Sequence, residues 1–203
     1  MSTVIFDIGQ VIIRWVPQRA FEQVLPHDEV EAVMRRIGFA EWNQANDSRA
    51  DISEAVEDLV RRFPDDETAI RAYREHFGTT ITELEPGTGD VIAELQQAGV
   101  DLGAITNWSA DTFQVALEMH DVLGRFREIV VSGAEGVVKP RPEIFLLACE
   151  RLGVAPSDAV FVDDSPVNVA GAEAIGMRAI HFRSATQLRE ELVALGLLGD
   201  HAN

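Results

Sequence analysis

Three carboxylates and one ammonium stand where apolar runs of this sequence end. Asp7 follows Phe6, Asp163 and Asp164 follow Phe161-Val162, and Lys139 sits in Gly136-Val137-Val138-Lys139-Pro140-Arg141. That lysine is the only one in 203 residues, against sixteen arginines. Arginine serves wherever else a cation stands, so a retained ammonium points to a need for a compact charge rather than a planar fork. Compositional drift is the competing account, and the place of Lys139 between two acidic segments argues against it. The pair Asp163-Asp164 could be no more than a helix N-cap ahead of Ser165-Pro166. Two adjacent carboxylates at a buried strand end, however, repel each other unless a cation is present. With Asp7 they make an oxygen donor set suited to Mg²⁺, which keeps several waters and accepts phosphate oxygens. The five histidines, His27, His76, His120, His181 and His201, show no zinc-ligand spacing.

Asp7 could serve as a metal ligand, a turn residue or a nucleophile. The last role needs an electrophile held by a cation and by donors on its far side. Lys139 supplies the charge, Thr106 a hydroxyl, and the turn after Asp7 backbone N–H groups. Gly9 permits close backbone approach to an anion and is expected to hold an angle that other residues disfavour. Together these parts suit in-line attack by a carboxylate on a phosphoryl group whose charge Mg²⁺ neutralises.

The elements that must position these groups alternate. Strands are predicted at 3–6, 102–106, 128–132, 159–162 and 178–182. Helices are predicted at 90–98, 110–120, 142–152, 166–175 and 185–195, several ended by glycine or opened by proline. Such alternation implies an α/β fold, a Rossmann-like parallel sheet covered on both faces in three layers, with right-handed crossovers. Ligands of such sheets sit beyond the carboxyl ends of the strands, where Asp7, Thr106, Lys139 and Asp163-Asp164 fall. Residues 16–85 differ. They read as helices near 19–25, 29–37, 40–45, 52–63 and 66–77, punctuated by Pro26, Gly38, Pro64 and Gly78, with no convincing strand. The economical division is a core of residues 1–15 and 86–203 with a helical cap, 16–85, inserted after the first strand.

Composition bounds the rest. Apolar residues make up 46% of the chain, enough for a substantial core and too many for disorder. A net charge of −17 makes nucleic acid a poor partner. A single cysteine, Cys149, excludes an internal disulfide framework and reads as packing within an apolar helix face. No apolar run is long enough to cross a membrane, and the first strand begins at Thr3 without a leader pattern, so a cytoplasmic location is the expectation. Monomer and homodimer are equally compatible with the sequence.

The ordered set resembles the haloacid dehalogenase superfamily of hydrolases, most of whose members are phosphatases. Its four motifs are met by Phe6-Asp7-Ile8-Gly9-Gln10-Val11, Ala104-Ile105-Thr106-Asn107, Val138-Lys139-Pro140, and Phe161-Val162-Asp163-Asp164 with Asn168 following. Each is weak alone; four in this order, around an inserted helical cap, are specific, and the resemblance spans the whole chain. It implies that Asp7 is the nucleophile and a ligand of Mg²⁺, completed by the Gly9 carbonyl and the Asp164 side chain. Thr106 and Lys139 would hold the phosphoryl group, and Asp163 and Asn168 would position the loop and its charges. The phosphorylated small-molecule substrate is expected against Gly9, Gln10 and Asn107, with Trp15 and Trp42 reaching it from the cap. Ordinary packing is the competing role of the two tryptophans. Arg14, Arg19, Asn43 and Gln44 are further cap candidates, the arginines being equally readable as surface charges.

Two positions depart from the family pattern. A second aspartate commonly stands two residues after the nucleophile, where it protonates the leaving oxygen; here that residue is Gly9. Arg141 replaces the acidic residue common after Lys-Pro. The leading expectation is a Mg²⁺-dependent phosphatase acting through a phosphoaspartate. The alternative is a 2-haloacid dehalogenase, which needs neither Mg²⁺ nor an acid at position 9 and whose Ser-Asn pair Thr106-Asn107 resembles. Asp163-Asp164 tell against it, because extra negative charge is unwelcome beside a haloacid and a departing halide. A non-catalytic binding protein is the third reading, disfavoured by the joint presence of Asp7, Thr106, Lys139 and Asp164.

Overall fold

Short runs rich in β-branched residues become the buried strands of one sheet. A computed structural model describes residues 3–199; the outermost positions of the core segment, His201 among them, lie outside the described residues. Strand β1 is Thr3–Phe6, buried throughout. After it come β2 (Ile13–Arg14), helices α1 (Gln18–Phe21), α2 (His27–Arg36), α3 (Phe39–Asn46), α4 (Ser53–Arg62) and α5 (Glu67–Glu75), then β3 (Glu83–Leu84). The remainder alternates: α6 (Thr88–Gln97), β4 (Asp101–Thr106), α7 (Ala110–Met119), β5 (Glu128–Val131), α8 (Ser132–Glu135), α9 (Pro142–Leu152), β6 (Ala159–Asp163), α10 (Pro166–Ala174), β7 (Arg178–His181) and α11 (Ala185–Ala194).

The five long-range strands are all parallel in the order β5-β4-β1-β6-β7. Alternate residues of β1 face opposite layers. Val4 and Phe6 join a core cluster with Val91, Ile92, Leu95, Leu188 and Leu192 of α6 and α11. Ile5 joins another with Ile144, Phe145, Ala148 and Leu152 of α9. Each such large side chain removed from water contributes roughly 1.5–3 kcal/mol. Cys149 packs in the second cluster, where burial pushes its thiol pKa up and keeps it inert. No helix of the described residues is long and apolar enough to cross a membrane.

The sequence showed no strand among residues 16–85, and here the structure differs. Glu83–Leu84 pairs antiparallel with Ile13–Arg14, closing a neck at both ends of the inserted helices. Two residues carry no readable period, so this ladder is invisible to pattern. Arg14 pairs with Glu83 at 3.5 Å and Glu85 at 3.3 Å, and Arg19 pairs with Glu83 at 2.6 Å. Both arginines therefore tie the neck together; neither belongs to the cavity wall described below.

A second attachment fixes the inserted helices to the ends of the sheet strands. The first N–H groups of α7, which no helix satisfies internally, donate to loop carbonyls: Ala110 N to Arg49 O at 3.1 Å and Asp111 N to Ala50 O at 2.9 Å. The Ser132 hydroxyl donates to the Asp47 carbonyl and accepts from Trp108 N at 2.8 Å. Tyr73, Phe77 and Trp108 continue this contact as edge-to-face rings 5.7 and 5.8 Å apart. Gly133 lies at the seam. A Cβ there would stand 2.4 Å from both Ala110 N and Arg49 O, and 2.7 Å from Trp108 O. Because these are backbone atoms, Gly133→Ala should destabilise the protein by about 1–3 kcal/mol. The midpoint of urea unfolding checks this; an unchanged midpoint would show that the seam yields freely.

Candidate functional site

The sheet order places the sequence's chemical residues at one edge. Asp7 follows β1, Thr106 ends β4 and Asp163 ends β6, and these three strands are neighbours. Asp7 N donates to Val162 O at 2.7 Å, which carries the pairing of β1 with β6 one residue past the strand. Beyond this edge lies a cavity of about 210 Å³. Its wall includes Asp7, Gly9, Gln10, Trp15, Trp42, Thr106, Asn107, Lys139, Asp164 and Asn168. Of the motif residues, Asp163 is absent from that wall, being fully buried behind it, and of the further cap candidates Arg14, Arg19 and Gln44 lie outside it too.

Lys139 is the hub. Its ammonium, 1% exposed, lies 2.8 Å from Asp7 Oδ1 and 2.7 Å from Asp163 Oδ2. Asn107 holds the same residue by its main chain, accepting from Lys139 N at 2.8 Å and donating to Lys139 O at 3.0 Å. Asp163 is saturated: besides Lys139 it accepts from Ser165 N at 2.8 Å and from the Asn168 amide at 3.1 Å on each oxygen. Asp7 Oδ1 also accepts from Ile8 N at 2.7 Å, which leaves Oδ2 as its open oxygen among the described residues.

Charge at this edge is unbalanced. Oxygens of Asp7, Asp163 and Asp164 lie within 4.8 Å of one another, with one ammonium among them. Burial pushes the Asp7 pKa up to about 7, against the attraction of Lys139 and with repulsion from Asp163 and Asp164 adding to it. Burial, then Asp163, raises Asp164 as well. Burial alone would lower the pKa of Lys139; its two carboxylate neighbours outweigh this and hold it above the ordinary lysine value. An oxygen-only cluster with charge to spare suits a hard divalent cation. Since Asp163 is engaged elsewhere, Asp7 and Asp164 are the side chains open to hold one.

The turn after Asp7 departs from the sequence expectation. Gly9 does not have a positive φ, and a Cβ built on it would meet nothing within 4 Å. The left-handed residue is Gln10, with φ of 58°. Its N–H donates to Ile13 O at 2.8 Å, while Ile12 and Ile13 both donate to Ile8 O at 2.9 Å. Those bonds hold the turn closed, and so the strain falls on Gln10.

Trp15 and Trp42 pack half-buried against the core cluster, and each also faces the cavity. Asn43 joins them and accepts from the Tyr73 hydroxyl at 2.9 Å, whereas Gln44 is exposed and outside the wall. Sequence reasoning missed Trp108, Tyr73, Phe77, Ile52 and Asp47, all of which line the cavity. Trp108 was signalled by its place just after Thr106-Asn107. Asp47 was signalled only by being an acid at the end of a predicted helix, where the macrodipole disfavours one.

Known proteins resemble this chain in sequence or in fold. Among curated relatives, protein CbbY of Cupriavidus necator is 31% identical over 139 residues, 65% of this chain and 55% of its own. A glyceraldehyde 3-phosphate phosphatase of Methanopyrus kandleri is 34% identical over 132 residues, 62% of this chain and 56% of its own. The chain thus spans about half the length of these relatives. Among solved structures, a phosphatase of the same superfamily from Thermococcus onnurineus superposes with a TM-score of 0.69 at 23% identity, covering 95% of this chain and 98% of that one. A family enzyme of Bacteroides thetaiotaomicron, crystallised with magnesium and inorganic phosphate as an aspartate-to-alanine mutant, gives 0.69 at 17% identity over 91% and 95% of the two chains. A dehalogenase gives 0.67 at 19% identity over 88% and 83%. At such identities these structures establish a shared fold. The family model for haloacid dehalogenase-like hydrolases matches residues 1–176, and with the fold and the strand-end carboxylates in place, the chain belongs to that family.

Proposed function

We propose that this protein is a Mg²⁺-dependent phosphatase that hydrolyses a small phosphate monoester, such as a sugar phosphate, through a phosphoaspartate on Asp7. One observation carries the reading: Lys139 and Asn168 saturate Asp163, and Asp7 and Asp164 are left as open carboxylates at the floor of a small cavity. Asp7, the Gly9 carbonyl and Asp164 would hold Mg²⁺, which when bound draws charge from the phosphoryl oxygens. Asp7 Oδ2 forms the bond to phosphorus as the bond to the ester oxygen breaks. Lys139 and the Thr106 hydroxyl hold the phosphoryl oxygens, and Asp163 with Asn168 keeps the ammonium in place. Water then attacks phosphorus, releasing phosphate and restoring the Asp7 carboxylate. Residues 16–85 act as the cap over a core of 1–15 and 86–203, with Trp15 and Trp42 closing on the organic part of the substrate, and Gln10 and Asn107 at its edge. The name of the Methanopyrus relative supports a sugar-phosphate-like substrate. A cytoplasmic location fits a phosphorylated metabolite.

The test is a panel of phosphorylated metabolites and 2-haloacids, each with EDTA and with added Mg²⁺. Phosphate release should fall on the order of 10²-fold or more in EDTA and return with Mg²⁺. Phosphate release indifferent to chelation would overturn the mechanism. Halide release that persists in EDTA would install the dehalogenase reading in its place, to which the fold neighbour of that activity and the Thr106-Asn107 pair lend a specific motive.

A further inference from the structure

We propose that Asp47 is the acid–base residue of this site. It gives a proton to the oxygen leaving phosphorus and takes one from the water that later cleaves the phosphoaspartate. The inference rests on the phosphatase reading. Position 9 offers no carboxyl group, so the proton must come from another wall of the cavity. Asp7 and Asp164 are committed to phosphorus and the cation. The Tyr73 hydroxyl donates to Asn43, and burial followed by the charge of Asp47 raises its pKa far beyond working range. Asp47 is the remaining acid in the cavity wall among the described residues.

Its main chain is anchored. The Asp47 carbonyl accepts from Ser132, directly after β5, and the next residues of its loop accept from the start of α7. An inserted segment is thereby held at fixed height over the strand ends. Stability does not explain an acid here. Asp47 is the C-terminal cap of α3, the helix end whose partial charge repels a carboxylate. Among the described residues no cation lies within ion-pair reach of it. The charged or titratable groups that bear on it are Lys139, Asp7 and Tyr73. Burial pushes its pKa up to about 7, with Lys139 lowering and Asp7 raising it. A carboxyl group of that strength exists in both protonation states at neutral pH, as a residue that gives and then regains a proton requires.

The proton balance is closed. As the Asp7–phosphorus bond forms, the electron pair of the broken P–O bond goes to the leaving oxygen, which takes the Asp47 proton. In the second half-reaction the Asp47 carboxylate takes a proton from the attacking water while the Asp7–phosphorus bond breaks. Esters with poor leaving groups should need Asp47 most.

The experiment compares the native protein with Asp47→Asn on a simple alkyl phosphate and on 4-nitrophenyl phosphate at saturating Mg²⁺. Single-turnover rates and full pH profiles are recorded, and folding is checked by thermal melting. Asp47→Asn should lower the alkyl rate about 10²–10⁴-fold and the aryl rate far less. It should also abolish the decline of kcat/KM for the alkyl ester as pH rises through about 7. Adding Gly9→Asp to that variant should recover alkyl turnover, since a Cβ at position 9 meets nothing within 4 Å. A near-native alkyl rate in Asp47→Asn, or equal losses on both esters with the pH decline retained, overturns the proposal. If Asp47→Asn does not fold, the native profiles decide: a decline near pH 7 confined to the alkyl ester supports it, and one shared by both or absent from both defeats it. No phosphate release from either ester by the native protein would instead sink the phosphatase reading itself.

Discussion

Asp7→Asn should end turnover and, in the protein stripped of metal, make the fold more stable. On the proposed mechanism the activity loss follows from removing the atom that would attack phosphorus, at least about 10⁴-fold. The stability gain follows from charge. Three carboxylates share one ammonium, so deleting the Asp7 charge still leaves Lys139 paired with Asp163 at 2.7 Å. The folded pKa of Asp7, about 7, lies above its ordinary value of 3.8, with burial as the main cause. Ionised Asp7 therefore costs the native state free energy. That cost is fully present above about pH 7 and vanishes below about pH 4, where the group is protonated folded or unfolded. Urea unfolding in EDTA should show Asp7→Asn ahead of the native protein by roughly 1–3 kcal/mol at pH 8 and level with it near pH 4. Added Mg²⁺ should narrow or reverse the difference. A variant less stable than native at pH 8 would mean that Lys139 needs both carboxylates.

Lys139→Met should do the opposite on stability and the same on activity. It strands two carboxylates, one fully buried, without their cation. Breaking a buried pair from one side costs about 3–5 kcal/mol, and losing a charge that holds a developing anion costs roughly 10²–10³-fold in rate. Lys139→Arg should not rescue turnover. The ammonium is enclosed at 1% exposure beneath Asp7, with the Phe161 ring centroid 5.5 Å away, and a longer planar fork has no room except where the phosphoryl group would sit. Combining Asp7→Asn with Lys139→Met should cost less stability than Lys139→Met alone, because one stranded charge is gone. Unfolding midpoints and phosphate release measured on the native protein and all four variants read both effects. Near-native turnover in Lys139→Arg would return the solitary lysine to compositional accident.

The parallel sheet was legible because each long strand is an apolar run closed by a turn residue and followed by a helix of readable period. Helix 142–152 matches α9 to the residue, since Pro142 opens it and Gly153 adopts the left-handed conformation that closes it. The two-residue strands β2 and β3 and the single turn of α8 were not legible, because so few side chains establish no face. The turn after Asp7 was legible in position and misjudged in detail. Glycine is the residue that tolerates a positive φ, so strain was expected at Gly9, but the hydrogen bonds from Ile12 and Ile13 place it on Gln10.

By itself the sequence determined which chemical groups stand at strand ends, Asp7, Thr106 and Asp163-Asp164, and marked the lone Lys139 in the loop before α9, each by its residue type and the apolar run or turn beside it. The family resemblance implied how those groups divide their work, and only the tertiary structure decided which of them touch. Lys139 could have paired with either acidic segment; strand order brings it between both. Nothing local distinguishes Asp163 from Asp164, yet one turns inward to Lys139 and the other toward the cavity. Asp47 and Trp108 enter the site through contacts between the 47–50 loop, α7 and Ser132, residues up to 85 positions apart. Sequence pattern reports the periodicity of one element against one face, whereas a cavity is bounded by several elements, and its wall is set by how they pack.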